Sequence, residues 1–145
     1  MISKSHIFIL ILFFTLTIKA MDTEVCSAYL LKSQQLDCSS DNYLTQFGYN
    51  YCVAYLSKTL DFSVKGQFIL NNIRLCLINK LFQESSLTCK NVKTKAQRMH
   101  IDCYSENHFC DLNIIDKNKV FWIAKKEVLD PVFLRTLLSV IKSCN

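Results

Sequence analysis

Eight cysteines, Cys26, Cys38, Cys52, Cys76, Cys89, Cys103, Cys110 and Cys144, constrain this chain more than any other feature. All of them lie downstream of a short apolar leader. An even count behind an export signal reads as a framework of up to four disulfides, the signature of a secreted, cross-linked protein. Eight cysteines allow about 105 pairings, so the count alone assigns compartment and class but leaves connectivity open.

The leader, Met1 to Ala20, has the parts of a secretory signal: Lys4 as a positive start, an apolar stretch from Ile7 to Ile18, and Ala20 as a small residue at the cleavage point. The apolar stretch is shorter than the roughly 20 residues that a membrane span needs. No later stretch is long and apolar enough either. Removing 20 residues from 145 leaves 125, assigned here to one domain over 21–145. Lys4 and Lys19 leave with the leader, so 15 basic residues face 12 acidic ones, a net of +3. That is too mild for a nucleic-acid binder, which carries a denser basic patch. The lysines of 90–98 and 117–126 alternate with apolar residues, as on a solvated face.

Two glycines and one proline favour long helices over a turn-rich sandwich or barrel. The expected fold is an all-α, disulfide-cross-linked helical domain. Asp130 and Pro131 form a cap and first position for the last helix, whose stripe is Phe133, Leu137, Val140 and Cys144. Cys89, Val92, Ala96, Met99 and Cys103 recur at spacings of three and four and mark a second helix over 91–103. Ile69, Ile73, Cys76 and Leu77 mark a third, beginning near Gly66. The segments 25–36 and 43–60 also read as helical, although the aromatic run Tyr43, Phe47, Tyr49, Tyr51 and Tyr55 is compatible with paired strands. Residues 112–124 are the exception. Two β-branched and aromatic runs flank Asp116-Lys117-Asn118-Lys119, as in a short β-hairpin or a loop pinned by Trp122. The same stretch is the expected place for an exposed apolar surface.

No catalytic pattern is present. His100, Asp102, Glu106 and His108 are close in sequence, and on a continuing helix the two histidines share a face. Yet there is no HExxH motif and no EF-hand run, and His108 is followed by Phe109 where a secreted phospholipase has its His-Asp pair. These residues read as polar groups on a helix surface. Exported cysteines in even number are poor candidates for a nucleophile. No catalytic, metal or cofactor site is expected, and no Asn-x-Ser/Thr triplet offers N-glycosylation.

From Cys52 the cysteine intervals are 24, 13, 14, 7 and 34 residues. The segments CVAYLSKTLDFSVKGQFILNNIRLC and AQRMHIDCYSENHFC resemble the stanniocalcins. Cys52, Phe62, Gly66 and Cys76 stand at that family's cysteine–aromatic–glycine–cysteine spacing. Gln97, Arg98 and Met99 precede a Cys103-Tyr104-Ser105 step to Cys110, as in the family, and the closing FLRTLLSVIKSC is similar to its final helix. The resemblance covers Cys52 to Cys144 and weakens over Cys26 to Tyr51. It implies a secreted, hormone-like or paracrine regulator of calcium and phosphate balance that acts by binding a protein partner or receptor, without enzymatic activity. It also implies the pairs Cys76–Cys103 and Cys110–Cys144 and, if one amino-terminal pair is lost as a unit, Cys26–Cys52 and Cys38–Cys89. The family's subunit-linking cysteine has no counterpart, so a covalent dimer is not expected, while a non-covalent homodimer is compatible with full pairing. The competing expectation is a secreted helical binding module for lipid or a foreign protein, using the apolar surface around Val120 to Ile123.

Overall fold

A computed structural model describes residues 24–127 and 129–144. The leader expected over 1–20 lies outside the described residues. Six helices follow one another: α1 over 24–35, α2 over 43–57, α3 (Val64–Gln83), α4 (Val92–Glu106), α5 (Ile114–Ala124) and α6 (Pro131–Ser143). No strand occurs among the described residues. The fold is a small all-α, disulfide-cross-linked domain, and none of its described helices is long and apolar enough to cross a membrane.

Local chemistry sets the helix starts. The Asp130 carboxylate accepts from the backbone N–H groups of Val132 (2.7 Å) and Phe133 (3.2 Å), and Pro131 occupies the first position. The Ser63 hydroxyl oxygen accepts from Gly66 N–H at 3.1 Å and opens α3. The stripes expected for α3 and α4 are buried where they were placed: Ile69 and Ile73 on one, and Val92, Ala96, Met99 and Cys103 on the other. Cys89 is exposed and precedes α4 rather than extending its stripe.

Residues 112–124 correct the hairpin expectation, for they form α5. Asn113 caps that helix, its side-chain oxygen accepting from Asp116 N–H at 2.8 Å. The Asp-Lys-Asn-Lys run lacks the glycine that a tight hairpin turn prefers, and here it forms the first turns of the helix. Asp116, Val120 and Ala124, four residues apart, make the buried face, so packing overrides the strand propensity of the flanking residues. Val120 is therefore core. The exposed apolar side chains in this stretch are Ile114, Ile115, Phe121 and Trp122.

Asp116 ties α5 to α3. Only 1% exposed, it accepts from Ser63 N–H (3.2 Å), the Ser63 hydroxyl (2.5 Å) and the Asn113 amide (3.0 Å). The two helix caps thus share one buried carboxylate. Gly66 is required there, because a Cβ at this position would collide with the Asp116 carboxylate.

Four disulfides join Cys26 to Cys52, Cys38 to Cys89, Cys76 to Cys103 and Cys110 to Cys144, with Cα separations of 5.6, 5.5, 5.7 and 5.3 Å. All fall inside the range that unstrained bridges use. They tie α1 to α2, the turn after α1 to the approach of α4, α3 to α4, and the turn after α4 to the end of α6. The buried apolar residues divide into two clusters. One gathers Cys26, Tyr29, Leu44, Cys52, Leu81, Leu87, Val92 and Met99. The other gathers Phe62, Ile69, Ile73, Phe109, Leu112, Val120 and Val140.

Candidate ligand cavity

A cavity of about 760 Å³ lies between these two half-cores and takes its walls from both. Tyr29, Leu44 and Met99 come from the first half-core, and Phe62, Phe109 and Val140 from the second. The inner face of α6 (Phe133, Leu137 and Val140) and the aromatic residues of α2 both contribute to its walls.

The α2 wall is built by spacing. Tyr43, Phe47 and Tyr51 stand four residues apart along the helix; the first two rings stack at 5.0 Å and the next pair meets tilted at 4.6 Å. The π-helical stretch Leu44–Tyr49 underlies them, a widened turn of a kind often found beside functional sites. Gly48 faces α1, where a Cβ would stand 2.5 Å from the Tyr29 ring, so glycine lets that ring seat directly against α2. From Phe47 the rings continue to His100 at 6.2 Å, on to Tyr104 at 6.1 Å, and to Phe109 at 4.7 Å. The strip therefore crosses from one half-core to the other.

A few polar atoms interrupt this apolar lining. Burial raises the phenols of Tyr29, Tyr43 and Tyr55 well above their usual value and pushes Tyr104 up to about 12, so all four stay protonated as donors at neutral pH. The Tyr55 hydroxyl donates to the Val120 carbonyl at 3.0 Å. Those of Tyr29, Tyr43 and Tyr104 have no hydrogen-bond partner among the described residues. His100 Nδ1 lies 2.7 Å from the Ala96 carbonyl. A carbonyl only accepts, so Nδ1 carries the proton and Nε2 is left as an acceptor. Burial, opposed by that hydrogen bond, holds the imidazole below its ordinary value and therefore neutral. At the rim, the Tyr51 hydroxyl donates to Glu127 at 2.8 Å, and Lys93 pairs with Asp130 at 2.6 Å.

The histidine–carboxylate group suggested by sequence does not assemble. Asp102 and Glu106 lie on the outer side of α4 and pair with Lys80 of α3, at 3.5 and 2.9 Å. His108 stands beyond the helix end in a left-handed conformation (φ 60°), exposed and 3.7 Å from Asp111. The helix stops at Glu106, so His100 and His108 do not share a face, and His100 is a cavity residue rather than a surface one. Among the described residues no group of His, Cys, Asp and Glu is arranged to hold a metal ion. The cavity's own signal was present in sequence as the four-residue spacings Tyr43-Phe47-Tyr51 and His100-Tyr104, which are equally the spacings of an ordinary core face.

No family model matches the chain, and neither the curated proteins nor the solved structures yield a match to it.

Proposed function

We propose that this protein is an extracellular carrier or receptor module for a small, predominantly apolar ligand bearing one polar group. The cavity carries this reading. Its aromatic and aliphatic lining favours an apolar occupant over water, and its volume lies within the range of small-molecule sites. The free phenols of Tyr29, Tyr43 and Tyr104 and the acceptor nitrogen of His100 give the occupant's polar end donors and an acceptor. The protein acts by binding and not by catalysis. The leader and the four disulfides support an extracellular site of action.

The test is titration of the oxidised protein with cis-parinaric acid, a fluorescent polyene fatty acid. Saturable enhancement at one equivalent, reversed by oleate, is the expected result. Emission that stays at its value in buffer, or rises only after the disulfides are reduced, overturns the reading.

A second reading is a stanniocalcin-like secreted regulator acting on a protein partner, in calcium or phosphate handling. It is supported by the cysteine intervals and by the pairs Cys76–Cys103 and Cys110–Cys144, which are the ones that the resemblance implies. A deletion strain with altered calcium or phosphate content would favour it, and unchanged content would count against it.

A further inference from the structure

The outer side of α5 and the corner between α2 and α3 form one surface. Ile115, Lys119 and Trp122 stand four and then three residues apart, on one stripe of α5. Lys119 fastens that stripe to the corner: its ammonium donates to the Asp61 carbonyl and lies 5.8 Å from the centre of the Phe62 ring. Lys58, Asp61, Lys119 and Trp122 line a shallow groove there. Around it the large apolar side chains are turned outward, with Leu60 88%, Val64 85%, Ile115 63% and Trp122 62% exposed. Isolated exposed apolar residues are ordinary, but a group gathered by two adjoining elements marks an interaction surface.

The charges around this group indicate what covers it. Lys58, Lys65 and Lys119 there pair with Asp61, Asp111 and Asp116 at 3.7, 3.9 and 3.8 Å, and Lys125 and Lys126 at the end of α5 carry the excess positive charge. Lys125 sits over the Trp122 ring at 4.7 Å from its centre. A tryptophan and aliphatic tips ringed by lysines match a bilayer surface: the apolar groups reach the acyl boundary, and the ammonium groups stay among the headgroups. The lysine excess favours headgroups of negative charge.

We propose that this face docks the protein on a lipid bilayer containing anionic lipid. α5 stands between the docking face and the cavity, since Val120, Phe121 and Ala124 line the latter while Ile115 and Trp122 point away. The docking proposal itself does not depend on what the cavity holds.

Trp122 is the only tryptophan in the chain and does not line the cavity, so its emission reports this surface alone. The oxidised protein is mixed with vesicles of phosphatidylcholine and with vesicles that also contain phosphatidylserine. Docking predicts a blue shift and quenching by brominated acyl chains on the second kind, with partition at least about tenfold stronger than on the first. Lys125→Glu combined with Lys126→Glu should remove most of that preference, and Ile115→Ser should weaken partition with the fold unchanged by circular dichroism. No shift on either vesicle overturns the proposal, as does equal partition on both. A blue shift that grows with protein concentration in the absence of lipid assigns the face to a second copy of the chain and overturns it as well.

Discussion

Around Cys26, α1 is fixed to α2 by a disulfide with both sulfur-bearing residues buried, and a second bridge, Cys38–Cys89, secures the turn that follows. Around Phe109 the attachment is different. There α6 packs along α4 and is tied at its ends, by Cys110–Cys144 at one, where Cys144 is exposed, and by Lys93–Asp130 at the other. Between its ends, α6 faces the cavity through Phe133 and Leu137. The first half-core is thus a cross-linked block. The second is closed by a helix whose bridge lies at its exposed end and whose inner face lines the cavity.

The largest predicted effect comes from the bridges. Replacing Cys26 and Cys52 by alanine should cost about 2–4 kcal/mol of chain entropy and a further 1–2 kcal/mol or so of lost buried packing, measured by urea unfolding. Replacing Cys110 and Cys144 by serine should cost only about the 2–4 kcal/mol entropic part. In that variant, amide exchange should accelerate across α6 and stay slow in α1 and α2. Acceleration spread evenly over all six helices would contradict the division into a block and a wall.

Next in size is Asp116→Ala, which strands the donors of Ser63 and Asn113 at the junction of α3 and α5. A loss of about 2–3 kcal/mol is expected, confined to the Phe109 half-core. A change under about 0.5 kcal/mol would show that the shared cap is decorative.

The smallest effect is a pH dependence. The folded-state value of His100 lies below its unfolded value, because burial disfavours the cation. Its contribution is therefore fully present above about pH 6.5, and it is lost as pH falls from there through the depressed folded value. The melting temperature should decline over that acidic interval, and His100→Gln should flatten the decline. An unchanged profile in the variant would place the imidazole in contact with water rather than in the aromatic strip.

Much of the helical framework was legible from sequence because caps and stripes are local properties. Asp130-Pro131 announces α6, and Val92, Ala96, Met99 and Cys103 trace the buried side of α4. The sequence of α5 suggests a hairpin or loop for an equally physical reason. Its β-branched residues favour a strand in isolation, and beside the local Asn113 cap the contacts that hold it as a helix are distant: the Ser63 cap that Asp116 serves and the Tyr55 hydroxyl that meets the Val120 carbonyl. The cavity was hidden in the same way. Tyr43, Phe47, His100 and Tyr104 carry the spacing of a core face, and only the meeting of helices shows that the faces leave a space between them. In sequence His100 reads with Asp102, Glu106 and His108 as a polar group on a helix surface, whereas it lines the cavity. Two residues along a helix turn a side chain to the opposite face.

The cavity itself is tested most directly by filling it. Leu137 lines the space from α6 and is half-buried. Leu137→Trp should raise the melting temperature of the ligand-free protein and abolish the fluorescence response to cis-parinaric acid. If the two half-cores instead close on each other, the larger side chain overpacks them. The variant would then lose about 1–3 kcal/mol of stability, and that result would contradict the presence of a ligand cavity.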